Sequence, residues 1–385
     1  MRNTWYPHRV IPGEGTALKS ARKPISFSSI KKIMRMIVIV IVIGFLVNIL
    51  ISLFVDFDSL GETMGRIRIE HILVPCAVYL LIYLVDSLRL KLVLRQFSYR
   101  IGIFTAMANS LLGYFFSYLT PMATGGQPFQ IYHLKKNGID AKTSTNIMMS
   151  RFIEYIGSAV ILTLIFIPSI LPLLYQMNVD ATLLVVGFVF SFIATIITVL
   201  LFIRPDWIGG FLVRIEHSFL GKFITRISKK TDWATSALAW SRGLKRNIAF
   251  LWKKRLPIVL IDIALCILIL GLQVFSFTWV LVMFAGAEVN FLQIFVTVLL
   301  LNLVVYYIPS PGASGGLEGV FTLVFSAYTA QPQSAFVAVV VWRLATYYLQ
   351  IFLGLGVFLL LRKRGMATNS KAAVTDEKEN APKIK

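Results

Sequence analysis

The sequence predicts an all-α, polytopic integral membrane protein with six full transmembrane helices and two re-entrant helical hairpins, arranged as an inverted repeat. Three observations predict it. Apolar residues make up 57% of the chain and charged residues only 15%, whereas a soluble domain carries about a quarter charged residues. Apolar runs such as 33–55 and 183–203 exceed the roughly 18 to 20 residues that span a bilayer. Two glycine pairs, each close behind proline, interrupt apolar stretches: Thr120-Pro121 leading to Gly125-Gly126, and Pro309-Ser310-Pro311-Gly312 leading to Gly315-Gly316. Lipid cannot satisfy broken backbone, so such breaks survive only under protein cover or beside a wet cavity. Paired breaks in the two halves of a membrane protein point to a transport site.

Charge sets the orientation. The chain carries a formal +20, and all but three of its 38 Lys and Arg fall in 1–35, 89–151, 204–255 and the tail after Leu361. Those segments share one side of a simple topology, as the positive-inside bias requires. Both termini are then cytoplasmic, and the basic loops face anionic inner-leaflet lipids. Nucleic acid is not an expected partner, because membrane topology alone accounts for the basic loops. No cofactor is expected: there is no phosphate-binding Gly-x-x-x-x-Gly-Lys, no His/Cys cluster and no Ser-His-Asp set outside lipid. Cys76 and Cys266 sit inside spans and suggest no disulfide framework.

Residues 1–32 form a basic cytoplasmic arm and 33–361 the membrane domain, with an inserted basic segment at 204–255 and a disordered cytoplasmic tail at 362–385. Span 33–55 runs outward and 72–94 returns. Basic residues bracket 103–119 on both sides, so this stretch is read as a hairpin that turns at 121–126 and returns along 127–137. Spans 145–171 and 181–203 follow, then the basic segment as interfacial amphipathic helices. Span 256–284 leads to a second hairpin, 289–308 with 317–330, whose flanks lack Lys and Arg. Span 335–361 ends at Arg362-Lys363-Arg364. Each half reads span, broken hairpin, span, and Arg-x-x-x-Tyr recurs at Arg151–Tyr155 and Arg343–Tyr347.

The hairpin returns carry the predicted site. Pro128 fits a first helical turn, so a helix starting at Gln127 would aim its N-terminal N–H groups at the protein interior. Glycine allows a ligand oxygen close to such a backbone, although glycine pairs also serve tight helix packing. The expected headgroup site comprises Thr120, Pro121, Gly125, Gly126, Gln127, Pro309, Pro311, Gly312, Gly315 and Gly316. Arg151, Glu154, Glu318 and Arg343 balance its charge. An arginine in hydrocarbon costs at least ~2.5–3.5 kcal/mol; Glu318 is the expected partner of Arg343, while Arg151 can either snorkel or face inward. Asp86 with Arg89 reads as a local i, i+3 pair, Asp262 as a further intramembrane charge, and His133 as interfacial.

The run Leu119-Thr120-Pro121-x3-Gly125-Gly126, then Arg151, then Ile308-Pro309-Ser310-Pro311-Gly312-x2-Gly315-Gly316-x-Glu318, resembles the lysylphosphatidylglycerol synthetase/flippase transmembrane family, the membrane part of the multiple peptide resistance factor. The resemblance covers roughly 33–362. It implies a helical flippase domain acting on an anionic or aminoacylated phospholipid, and by family name a phosphatidylglycerol lysyltransferase linked to cationic peptide resistance. The two-part enzymes of that family add a cytoplasmic acyltransferase-type domain after the membrane part, for which no counterpart is seen here. The expectation is therefore a carrier of membrane phospholipid or of a lipid-linked headgroup. With no ATP-binding motif, movement is passive or coupled to an ion or potential. An accessory role beside a separate transferase and a homo-oligomeric state stay open.

Overall fold

Long apolar runs become long helices, even with Pro75 inside one of them, and the two segments that combine proline with a glycine pair become turns between short ones. The computed structural model describes residues 57–169, 204–216, 249–285, 290–305, 308, 310–329 and 332–363, with scattered positions in 35–46, 189–200 and 218–245. The chain divides into two units, Met36–Leu360 and a second made of Met1–Arg35 with Leu361–Lys385; the expected site residues all belong to the first. The basic arm, most of spans 33–55 and 181–203, most of the 204–255 segment, and the tail beyond 363 lie outside the described residues, as does Pro309.

The described helices are α1 (Phe57–Gly65), α2 (Glu70–Gln96), α3 (Ile103–Leu119), α4 (Gly126–Lys136), α5 (Ala141–Phe166), α6 (Pro205–Glu216), α7 (Leu256–Ala285), α8 (Phe291–Val305), α9 (Gly316–Phe325) and α10 (Pro332–Arg343). A π-helical turn at Leu344–Tyr348 carries α10 onward, so the continuous helix reaches Lys363. Among the described residues four helices are long and apolar enough to cross a membrane: Glu70–Gln96, Ala141–Phe166, Leu256–Phe284 and Gln333–Lys363. These are four of the six expected spans, displaced by a few residues at most.

The helices are built for an apolar solvent. On α2, Leu73, Leu80, Leu81, Leu84 and Leu88 are exposed, while Asp86, Ser87 and Arg89 are buried. Leucine outward and charge inward is the pattern for lipid, where ionisable groups face the bundle interior. α2 packs along α7, and α5 and α10 also lie against α7. Phe277, Phe321, Phe325 and Trp342 join α7, α9 and α10 in the largest apolar cluster. Outside the spans, Asp140 caps α5: its carboxylate accepts from the Lys142 N–H at 3.0 Å and the Thr143 N–H at 2.8 Å. Partial burial pushes that carboxyl up, but the bonds from Thr143 and Lys142 outweigh it and hold the group below the usual aspartate value.

Two pairs of short helices complete the set. α3 and α4 pack against each other. With 17 and 11 residues they extend about 26 and 16 Å at 1.5 Å per residue, short of a ~30 Å hydrocarbon core. α8 and α9 have 15 and 10 residues. The bounds of α3 coincide with the apolar run 103–119. α4 begins at Gly126, one residue before the expected start.

Candidate functional site

Each of the two turns begins with a proline and two residues in left-handed conformation. In the first, Met122 and Ala123 have φ of 53° and 52°; in the second, Gly312 and Ala313 have 59° and 53°. The Thr124 N–H donates to the Pro121 carbonyl at 3.2 Å and the Ser314 N–H to the Pro311 carbonyl at 3.1 Å. Two successive residues with φ > 0 inside such a bond make a type I′ turn, unusual for Met and Ala. The turns meet: Pro121 and Pro311 form an antiparallel bridge. Neither proline has an N–H, so flanking residues must supply the bridge's hydrogen bonds.

The glycines serve the two turns differently. A Cβ on Gly126 would lie 2.1 Å from Ser117 Oγ and 2.7 Å from the Gly113 carbonyl oxygen, so this glycine lets α4 approach α3. Gly125 is right-handed, and its N–H is taken by Thr120 Oγ1 at 2.8 Å, which itself donates to the Phe116 carbonyl at 2.7 Å. In the second turn Gly315 requires its freedom, with φ of 91°. Its N–H donates to Glu318 Oε2 at 2.8 Å, a side chain reaching back to cap α9. A Cβ on Gly312 would fall 2.2 Å from the Tyr347 ring, and one on Gly316 would fall 2.1 Å from Ile308 Cδ1.

Buried charge gathers in two groups. Arg343 donates through Nε to Glu318 Oε1 at 2.9 Å and through Nη2 to the Gly312 carbonyl at 3.0 Å, with its guanidinium 4.6 Å from the Tyr347 ring centre. Arg151 faces inward and is 7% exposed; its Nη2 binds the carboxylate and, at 2.9 Å, the backbone carbonyl of Asp86. Arg89 donates through Nε to Asp262 at 2.7 Å and through Nη2 to Glu154 at 3.3 Å. The local Asp86–Arg89 pair is present at 3.8 Å, as one edge of this larger group. Ser110 donates to Asp86 and Ser150 to Glu154, at 2.5 and 3.2 Å.

Two cavities flank the turns. One, about 190 Å³, is lined by Arg343, Gly312, Ser310, Asn302 and Thr346. The other, about 270 Å³, is lined by Asp86, Arg89, Ser110, Gln127 and Arg151. Ser117, Tyr118, Ala123, Tyr155 and Gln273 line both. Within that shared wall the Tyr155 hydroxyl donates to Gln273 Oε1 at 3.1 Å.

Residues 37–354 match the family described as the lysylphosphatidylglycerol synthase TM region. The chain belongs to this family. It is 25% identical over 327 residues to a UPF0104 membrane protein of Archaeoglobus fulgidus, covering 81% of this chain and 94% of that one. It is also 22% identical over 335 residues to a UPF0104 membrane protein of Methanocaldococcus jannaschii, covering 84% and 95% respectively. No solved structure matches.

Family membership together with the four long apolar helices makes this a multi-pass membrane protein. In this member of the lysylphosphatidylglycerol synthase TM-region family, the expected residues divide into walls and supports. Gln127, Arg151, Gly312 and Arg343 line cavities. Thr120, Gly125, Gly126, Gly315, Gly316 and Glu318 shape the turns or hold Arg343. Pro121 and Pro311 join the turns, and Glu154 sits in the charge group. Tyr155 and Gln273 were not among the expected site residues; a glutamine within the apolar run 256–285 was the available signal. His133, expected at the membrane interface, is buried within the protein at 6% exposure, held between Asn109 and Asn137 at 3.2 and 3.3 Å, because α3 covers α4.

Proposed function

We propose that this protein carries the polar head of a membrane lipid, an anionic or aminoacylated phospholipid or a lipid-linked headgroup, between leaflets while its acyl chains stay in the bilayer. In this reading α3–α4 and α8–α9 are re-entrant hairpins entered from opposite faces, within an inverted repeat of six crossings and with both termini cytoplasmic. One observation supports the reading: two cavities, each with buried arginine in its wall, adjoin through a shared wall that includes Ala123 of the first turn, and the first turn meets its matched counterpart at Pro121–Pro311. A carrier needs a site that opens to one face at a time, and halves rocking about such a contact supply it.

The second turn explains how a phosphate is held and released. A phosphate oxygen entering beside Arg343 competes with Glu318 for the guanidinium. Glu318 keeps a partner when displaced, because its other oxygen accepts from the Gly315 N–H. The exchange therefore avoids stranding a buried carboxylate, which would be costly. Basic loops on the cytoplasmic side would gather anionic lipid near the entrance.

Reconstitution tests it. Liposomes holding the purified protein and a fluorescent anionic phospholipid are bleached from outside with an impermeant reductant. The wild-type protein is expected to accelerate loss of the inner-leaflet signal, and Arg343→Ala to return it to the protein-free rate. Exchange at the protein-free rate with wild-type protein, across anionic, aminoacylated and lipid-linked probes, would overturn the proposal.

A further inference from the structure

Three carboxylates and two guanidiniums from three helices form one buried group: Asp86 and Arg89 on α2, Arg151 and Glu154 on α5, Asp262 on α7. None of the five exceeds 8% exposure, and Asp262 is at 0%. Fully ionised, the group carries one net negative charge on buried side chains, a state buried groups avoid by neutralising. Arg343 cannot supply the missing cation, because Glu318 already occupies it.

The imbalance has an address. The carboxyl groups of Glu154 and Asp262 sit on one Arg89 guanidinium, Asp262 at Nε at 2.7 Å and Glu154 at Nη2 at 3.3 Å. Two ionised carboxylates can only accept, so neither can satisfy the other. Asp262 Oδ2 indeed has no donor, although its Oδ1 is bound by Arg89 at 2.7 Å. An orphaned acceptor on a fully buried side chain, with a second carboxylate on the same guanidinium, is the arrangement that one proton resolves. Among the described residues, the titratable groups around Glu154 are Arg89 from α2, with Asp86 one ion pair further on, Arg151 from its own helix, and Asp262 and Cys266 from α7. α8 has no titratable residue, and His133 of α4 is engaged with Asn109 and Asn137.

We propose that Glu154 and Asp262 form a proton-binding site, one proton shared between the two carboxyl groups, and that its occupancy couples the carrier cycle to proton uptake and release. The proton, taken from water, makes one carboxyl an O–H donor to the other and brings the five-residue group to zero net charge. Coupling rests on the carrier reading above; the proton site does not.

The site is read without any transported lipid, by infrared difference spectroscopy of the protein in nanodiscs, titrated from neutral to alkaline pH in choline chloride. Wild-type protein is expected to show a protonated-carboxyl C=O band at pH 7 that disappears on alkalinisation. Glu154→Gln and Asp262→Asn each remove one acid and balance the two arginines, so each is expected to lose that band. Both amides keep shape and hydrogen-bonding capacity, and either variant alone suffices if the other fails to fold. Absence of the band in wild type at pH 7, or its persistence in the variants, would overturn the site. Its loss when sodium replaces choline would assign the position to a metal cation and equally overturn it. If the band behaves as expected, liposome exchange that ignores an imposed pH gradient would sink the coupling and leave the proton site standing.

Discussion

Pro121 and Pro311 meet in an antiparallel bridge that joins the turn between α3 and α4 to the turn between α8 and α9. Both prolines are followed by two left-handed residues, so two type I′ turns meet at their first residues. Non-glycine residues held at positive φ cost of order 1–3 kcal/mol each and persist where the surroundings over-determine them. Here each turn leans on the other.

If carrier function requires the turns to part, tying them together stops it. A Pro121→Cys/Pro311→Cys pair, in a background with Cys76 and Cys266 replaced by alanine, is expected to lose lipid exchange on oxidation and regain it on reduction. Either cysteine alone should be indifferent to oxidant. A locked pair with undiminished exchange would show that the bridge is static.

Arg343 and Glu318 form a buried pair, so removing one member costs more than removing both. Arg343→Ala leaves Glu318 buried with only the Gly315 N–H, and a penalty of about 3–5 kcal/mol is expected. Arg343→Met with Glu318→Gln removes both charges at similar volume and should restore most of the thermal stability, but not lipid exchange. Melting temperatures of the two variants in one detergent decide the order.

What could be read in the sequence depended on how far apart the partners lie. The ends of α3 were legible because Gly102 and the Thr120-Pro121 step stop a helix locally, and Glu318–Arg343 was legible as an acid and a base both trapped in apolar surroundings. The contacts Arg151–Asp86 and Arg89–Asp262 were not. They depend on how α2, α5 and α7 are rotated against each other, which no spacing within one helix reports. The first turn shows a different limit. Its glycine pair pointed to unusual backbone, yet positive φ falls on Met122 and Ala123. Gly126 is needed for room beside Ser117. Glycine in a sequence marks either need without saying which.

That distinction predicts opposite outcomes for two glycines. Gly126→Ala places a methyl 2.1 Å from Ser117 Oγ and 2.7 Å from the Gly113 carbonyl oxygen, and should part α3 from α4 and lower the melting temperature. Adding Ser117→Ala removes the nearer obstacle but not the backbone one, so it should recover only part of the loss. Gly157→Ala in α5, where nothing lies within 4 Å, should be tolerated. Equal tolerance at 126 and 157 would show that α3 and α4 do not pack as described.

Asp140 gives a pH dependence whose sign follows from its bonds. Its carboxylate accepts the Lys142 and Thr143 N–H groups that begin α5, and its folded pKa lies below the ordinary value. The stabilisation is therefore present above the unfolded aspartate pKa of about 3.9 and fades as pH falls through the lower folded value. Asp140→Ala is expected to cost about 1 kcal/mol at neutral pH, as losing an N-cap does, and progressively less in acid. Asp140→Asn keeps a capping oxygen without titrating, so its stability relative to wild type should improve as the pH drops. Melting curves of the three proteins at neutral pH and near pH 3 check it, and a constant Asp140→Ala penalty across that range would rule the charged cap out.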